Sequence, residues 1–347
     1  MFSGVFSKPQ VEIIFTEVPK RHRHKLTDRN DITQSFPTFH DGEDIKGKII
    51  VNFKSKSFEH KGIKVELLGF IQNLTKLKSS TSNFIELSNE LESAGTISEK
   101  KIYSFNFPQV NMKYESYKGD YAVVKYIIKL TIETKLRTLK YDNEFCVINP
   151  IEKKILDDKI EPIHVSVGIK NLLQLNIEFR NKNVPYNGCM FGKITFKNVQ
   201  IELKFMEIQI VRREILVGEK NCEPAYLAKF EIMDGGPIKN EFVPVRMFLK
   251  PYDLTPTYEN INSKFYVRYF INLVIADQND ERYFKQKEIV LYRVKKDKEC
   301  RQKEKKQLFT GEEFVVVDEE DETEIESEEN EKNEDEEKNK NNDNKKI

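Results

Sequence analysis

Apolar and polar residues alternate with a period of two through most of this chain. From 265 to 276 the odd positions are Phe265, Val267, Tyr269, Ile271, Leu273 and Ile275, all apolar, while the even positions are mixed. One face of such a segment is buried and the other partly wet, which is a half-buried strand. Ile45, Gly47, Ile49, Val51 and Phe53 alternate likewise, as do Ile63, Val65, Leu67, Gly69 and Ile71. Val199, Ile201, Leu203 and Phe205 read as a further strand. Turn signals separate these runs: Asp41-Gly42, Asn187-Gly188, Asp234-Gly235-Gly236 and Asp277-Gln278-Asn279-Asp280. Helical periodicity is nearly absent, and its best candidate is a short piece from Phe84 to Leu91. The pattern predicts an all-β chain.

The pattern also repeats. Val124-Lys125-Tyr126-Ile127-Ile128-Lys129-Leu130-Thr131-Ile132 recurs as Val267-Arg268-Tyr269-Phe270-Ile271-Asn272-Leu273-Val274-Ile275. Phe105-x-x-Pro108 maps onto Phe248-x-x-Pro251 at the same spacing, and Gly47-Lys48-Ile49 onto Gly192-Lys193-Ile194 at nearly the same one. A repeat this long is a domain rather than a solenoid unit. Two antiparallel β-sandwiches in series follow.

Composition sets limits on function. The chain has 347 residues, room for two ordinary cores, and its 24 Phe suit dry sheet-on-sheet packing. No run approaches the ~20 apolar residues that span a bilayer. The start, Met1-Phe2-Ser3-Gly4, carries neither a secretory pattern nor a myristoylation site. Cys146, Cys189, Cys222 and Cys300 stand singly, as reduced thiols of a cytosolic protein do. The net charge of zero conceals a division: Glu312 to Glu337 holds 16 acidic residues against Lys332 alone, so the residues before this run are basic. With almost no apolar residue after Val317, that tail is expected to be disordered, either as a regulatory segment or as a solvated extension.

A basic folded part suits an anionic membrane surface or nucleic acid, or compensates the tail. Lys20-Arg21-His22-Arg23-His24-Lys25 looks like a nucleic-acid patch, but it lies between strand-like segments and is expected to be an exposed hairpin loop. His22, His24 and His40 lack the accompanying ligands of a metal site. No nucleophile elbow, P-loop, dinucleotide fingerprint or zincin motif occurs, so neither catalytic residues nor a cofactor is expected.

Longer motifs identify a family. Lys264-Phe265-Tyr266-Val267-Arg268-Tyr269-Phe270-Ile271-Asn272-Leu273-Val274, with Arg282-Tyr283-Phe284-Lys285-Gln286-Lys287-Glu288-Ile289, resembles the vacuolar protein sorting protein 26 family, the arrestin-like subunit of retromer. So do Ala228-Lys229-Phe230-Glu231-Ile232-Met233-Asp234-Gly235-Gly236-Pro237-Ile238-Lys239, Val243-Pro244-Val245-Arg246-Met247-Phe248-Leu249 and Asp253-Leu254-Thr255-Pro256-Thr257. Asp41-Gly42-Glu43, Glu59-His60-Lys61-Gly62-Ile63 and Tyr114-Glu115-Ser116-Tyr117 fit the same family in the first half. The resemblance covers roughly residues 1 to 297. Residues 76 to 100 and Gly218 to Pro224 depart from it and read as local loops.

The resemblance implies an arrestin fold, with a sandwich over residues 1–150, a linker over 151–162 and a second sandwich over 163–297; the charged tail over 298–347 lies outside it and is expected from composition alone. It implies a noncatalytic subunit that binds the large α-solenoid subunit of retromer, in one complex with a phosphodiesterase-like subunit. It also implies capture of transmembrane cargo tails with a sorting nexin, peripherally on endosomal membranes. Residues carried over for the solenoid contact are Ile232, Met233, Asp234, Gly235, Pro237, Lys239 and Arg246. Those for the sorting nexin and cargo are Val167, Tyr283 and Phe284. The competing assignment for Ile232, Met233 and Phe284 is plain core packing. An arrestin-like adaptor for phosphorylated receptor tails would share the fold and would need clustered Lys and Arg. A β-sandwich enzyme would need a cleft of perturbed titratable groups.

Overall fold

In the computed structural model the described residues are 8–16, 21–53, 57–75, 80–152, 160–169, 172–219 and 222–295. The expected tail lies outside them, as do Cys300, Lys20 and most of the expected linker. Every regular element among the described residues is a strand. The chain divides into two compact units: Met1–Asn149 with Glu214–Cys222 and Asn260–Tyr266, and Pro150–Arg213 with Glu223–Glu259 and Val267–Ile347.

The first unit sets a three-stranded sheet against a seven-stranded one. The smaller has β1 (Gln10–Phe15), β4 (Ile45–Asn52) and β7 (Lys101–Phe107), in that order. The larger is built from β2 (Arg23–Thr27), β3 (Thr33–Phe39), β5 (Phe58–Asn73), β6 (Ser80–Ile97), β8 (Tyr117–Lys118), β9 (Ala122–Glu133) and β10 (Thr138–Val147). Its order is β2-β3-β10-β9-β5-β6, with β8 added on β9. Phe15 of the small sheet meets Phe39 and Phe145 of the large one at ring-centroid distances of 5.4 and 5.5 Å, so the aromatic residues join the two layers.

The second unit repeats the plan. One sheet has β11 (Ile163–Ile169), β12 (Leu173–Phe179), β14 (Cys189–Val199) and β17 (Phe242–Phe248). The other, ordered β13-β20-β19-β15-β16, comprises β13 (Asn183–Pro185), β15 (Leu203–Leu216), β16 (Ala225–Asp234), β19 (Phe265–Asp277) and β20 (Arg282–Tyr292), with β18 (Tyr258–Ile261) on β19. This is the order β3-β10-β9-β5-β6 with β8 on β9, strand for strand. The pairing of β3 with β10 is parallel, and so is that of its counterpart β13 with β20, so even this departure from antiparallel pairing repeats.

Side chains follow the repeat at equivalent positions. Tyr126 and Tyr269 are both fully buried. The Tyr126 hydroxyl donates to the Tyr114 carbonyl at 2.6 Å, while the Tyr269 hydroxyl accepts from the Thr255 amide at 3.0 Å. Gly47 lies opposite Phe15, and Gly192 opposite Phe179. A Cβ on Gly47 would stand 2.7 Å from the Phe105 ring, and one on Gly192 2.6 Å from the Phe179 ring. In each unit glycine leaves room for a core aromatic.

Several expectations change. The helix expected at Phe84–Leu91 is the middle of β6, an 18-residue strand, and residues 80–97 are not a loop. Two register shifts, at Ile63/Lys64 and Gly69/Phe70, break its alternation and produce the mixed pattern. Phe84 packs on Tyr114 and Tyr126, and its ring would lie 2.7 Å from a Cβ on Gly69. The run Val199 to Phe205 is two strands, not one, because β14 ends at Val199 and β15 starts at Leu203. Arg23, His24 and Lys25 form β2 rather than a loop. The turn comes later, where the Asp28 carboxylate accepts from the amides of Asn30 and Ile32 at 2.9 and 3.0 Å. Phe105 and Phe248 share a motif but not a position: Phe105 pairs with Gly47, whereas the partner of Gly192 is Val245.

His60 gives the first unit a pH dependence. Its side chain is buried in β5, and neither ring nitrogen makes a hydrogen bond. Burial pushes its pKa below the ordinary value of 6.5; the Glu92 carboxylate, 3.8 Å away, opposes this, and Lys101 adds to it. The unfolded chain therefore takes up the proton first. The contribution to stability is complete above the unfolded value near 6.5 and is lost as pH falls below it. Between pH 7 and 5 stability is expected to decline by less than ~1.4 kcal/mol per pH unit from this group, the limit for one proton. A His60→Gln variant should flatten that slope in urea titrations, and an unchanged slope would remove His60 as its source.

Candidate docking site

The residues carried over for the solenoid contact all lie at one open edge of the second unit. Strand β16 ends the larger sheet, and β17 ends the smaller one. Ile232, Met233 and Asp234 close β16, where Met233 pairs with Met206. The chain then turns at Gly235, whose φ of +97° is left-handed and suits glycine. Residues 235–241 lead into β17, where Phe242 pairs with Thr195 and Arg246 with Phe191.

This connection is fixed rather than loose. The Glu241 carboxylate accepts from the Ile238 amide at 2.9 Å, and the Glu241 amide donates to the Ile238 carbonyl at 3.0 Å. Phe196 bonds both Asn240 and Glu241 through its main chain, at 2.6 and 2.9 Å. Pro237 is buried beneath the loop. Above it Ile238 is 73 % exposed and Phe242 64 % exposed, with Lys239 and Arg246 exposed beside them. Ile232 and Met233 are half-buried. Rigid apolar anchors ringed by polar groups are ordinary interface anatomy.

Phe248 was missed by the sequence reading and is 55 % exposed. Phe242, Pro244, Arg246 and Phe248 are exposed, whereas Val245 and Met247 between them are buried. Counting outward in twos from Arg246 would have found it. Cys189 sits opposite Phe248; burial pushes its thiol pKa up, partly offset by the Arg246 guanidinium.

The residues carried over for the sorting nexin and cargo lie on two other edges of the same unit. Val167 is in β11, the last strand of the smaller sheet, and its side chain is fully buried in the core. On this strand His164 is exposed and Ser166 half-buried, so the accessible side chains are those and not that of Val167. Phe284 pairs with Val274 in β20 and is half-buried. Tyr283 is buried, and its hydroxyl donates to the Glu281 carboxylate at 2.7 Å. Burial and that carboxylate push the phenol pKa well above its ordinary value. Strand β20 meets β13 only over Val290–Tyr292, so among the described residues 282–289 have no strand neighbour on that side. A narrow cleft lies between the two sheets here, lined by Val165, Ile177, Ile271, Leu273, Lys285 and Lys287. Burial lowers the Lys285 pKa, with Lys287 adding to the effect. Inward-pointing lysines blunt an open edge against non-specific strand addition.

Among the described residues no three His, Cys, Asp or Glu side chains are grouped to hold a metal ion, and no helix is long and apolar enough to cross a membrane.

Two tandem sandwiches with matching strand orders define an all-β protein of arrestin-like fold. The model of the family described as vacuolar protein sorting-associated protein 26 matches residues 6–280, and the chain belongs to that family. It is 39 % identical over 290 residues to vacuolar protein sorting-associated protein 26B of Arabidopsis thaliana, covering 83 % of this chain and 95 % of the relative. It is 36 % identical over 298 residues to the protein 26 of Dictyostelium discoideum, covering 84 % of each. It is also 34 % identical over 296 residues to human 26B, covering 84 % and 87 %.

Proposed function

We propose that this chain is a noncatalytic docking subunit of a retromer-type sorting complex. It binds the large α-solenoid subunit through Ile232 to Arg246, with the phosphodiesterase-like subunit in the same assembly. The observation that carries this reading is the 235–241 connection, which holds Ile238 and Phe242 out in solvent on a main chain bonded at both ends. Membership of a sorting family supports it. The domain layout proposed with it is a sandwich over 1–150, a linker over 151–162, a sandwich over 163–297 and a tail over 298–347.

The second role is shared with a sorting nexin: capture of transmembrane cargo tails at the β11 and β20 edges, peripherally on endosomal membranes. An extended peptide adding to an open edge gains main-chain hydrogen bonds, and a neighbouring pocket reads its side chains. One apolar cargo residue contributes only ~1.5–3 kcal/mol, so retention depends on several linked contacts.

Affinity purification of the tagged chain from its own cells is the test. Recovery of a large α-solenoid protein and a phosphodiesterase-like protein is expected, and recovery of neither rejects the assignment. In the assembled complex Phe284→Ser should weaken cargo-peptide binding about tenfold, consistent with partial loss of one apolar contact. Unchanged binding would move the cargo site elsewhere.

A further inference from the structure

The open edges of the second unit differ in charge. Among the described residues β11 carries no Lys, Arg, Asp or Glu, and β17 carries Arg246 alone. Edge strand β16 sets Lys229 against Glu231 and Asp234. The open stretch of β20, residues 282–289, carries Arg282, Lys285 and Lys287 against Glu288, which makes it the most basic of these edges. Its odd residues face the core: Tyr283 and Ile289 are buried, and Lys285 and Lys287 lie opposite the core residues Leu273 and Ile271. Both lysines line the narrow apolar cleft between the sheets. A strand added here meets apolar surface and positive charge together, and charge decides which strand an edge accepts.

The chain itself carries a segment of matching chemistry. Phe314-Val315-Val316-Val317 is its last run of consecutive apolar residues, and acids bracket it: Glu312 and Glu313 before, Asp318, Glu319, Glu320 and Asp321 after. Successive β-branched residues favour a strand. We propose that residues 313–320 add to β20 as an antiparallel strand, so that the chain occupies in cis the edge proposed for cargo. Only the consequence for cargo rests on the cargo reading. The tether is long enough: residues 296–313 separate Lys295 from Phe314 and reach ~60 Å when extended, against ~36 Å for the 11 residues of β20.

One register suits the apolar and the charged groups at once. With Val316 opposite Gln286, Val315 and Val317 fall opposite Lys287 and Lys285 on the core side, along the aliphatic stems of the lysines at the cleft. Glu313 and Glu319 are then diagonal to Lys287 and Lys285, and Glu320 is opposite Arg282. The added strand stops short of Val290, where β13 already pairs. A shift by one residue would turn Val315 and Val317 outward and lose the match. Tethering supplies an effective concentration on the order of mM, so a weak ladder gives substantial occupancy and a cargo tail has to displace it. Ion pairs at an exposed edge are screened, so occupancy falls as salt rises.

Hydrogen exchange on the full chain tests the inference. In ~0.02 M salt the amides of residues 283–289 that point away from β19 should exchange slowly, and ~0.5 M salt should speed them. Val315→Asp with Val317→Asp should speed the same amides about tenfold or more at low salt, while those of the β11 and β16 edges stay unchanged. Circular dichroism confirms that the variant is folded. Adding a synthetic peptide of residues 312–322 to the variant should restore the protection, and a peptide carrying the two aspartates should not. Equal exchange in parent and variant would overturn the inference. So would a change confined to another edge, or a native-sequence peptide that gives no protection. No cargo enters this experiment, so its failure removes the tail segment from β20 and leaves the cargo role to be decided by Phe284→Ser, whose own failure leaves the docked segment standing.

Discussion

Replacing Ile238 and Phe242 together by Asp is expected to abolish binding to the solenoid subunit while leaving the fold intact. The two side chains are 73 % and 64 % exposed, so their removal leaves little cavity and costs little stability. In a complex each would be buried, which is worth ~1.5–3 kcal/mol for a large apolar side chain. Losing both anchors and burying two carboxylates should therefore raise Kd by roughly 100-fold or more. Calorimetric titration against the solenoid subunit reads the effect, and a normal melting curve shows that the variant is folded. Unchanged affinity would remove this edge as the docking surface. Ile232 and Met233 are less decisive, because both are half-buried and an aspartate there lowers stability as well as affinity.

Glu214→Ala is expected to destabilise the first unit by about 3 kcal/mol, since buried charge-assisted hydrogen bonds contribute more than neutral ones. The Glu214 carboxylate is 4 % exposed and accepts from three consecutive amides, those of Asp120, Tyr121 and Ala122, at 2.9, 3.0 and 3.3 Å. Removing it takes from these amides their shared charged acceptor. Gly119 permits the approach: a Cβ there would stand 2.5 Å from a Glu214 carboxylate oxygen and 2.5 Å from the Tyr117 ring. Gly119→Ala should thus move stability in the same direction without touching the carboxylate itself. Urea unfolding of both variants checks this, and a Glu214→Ala chain as stable as the parent would show the three bonds to be energetically idle.

The strands were legible wherever one face is dry and the other wet. Phe265 to Ile275 is a strand with its odd residues buried, and Val124 to Ile132 is its counterpart with even residues buried. Where a ladder slips, the reading failed. The bulges of β6 scrambled its period, and Phe84, an inward aromatic at one of them, helped the segment look helical. The repeat at Phe105 and Phe248 misled for a related reason: three residues of register separate the Phe248 motif from the true counterpart of Phe105. Matching letters do not guarantee matching faces. Val167 shows the same limit within the candidate site, since its side chain is buried in the core while His164 and Ser166 of the same strand are accessible.

Sequence alone determined the all-β class and the doubling of the sandwich, because alternation, turn residues and long motifs are properties of neighbours along the chain. Tertiary structure decided which strands became edges, which of Pro237 and Ile238 was buried, and that Glu214 meets three amides about ninety positions away. These depend on strand order and register, which arise from pairing between distant segments, and no local pattern encodes them.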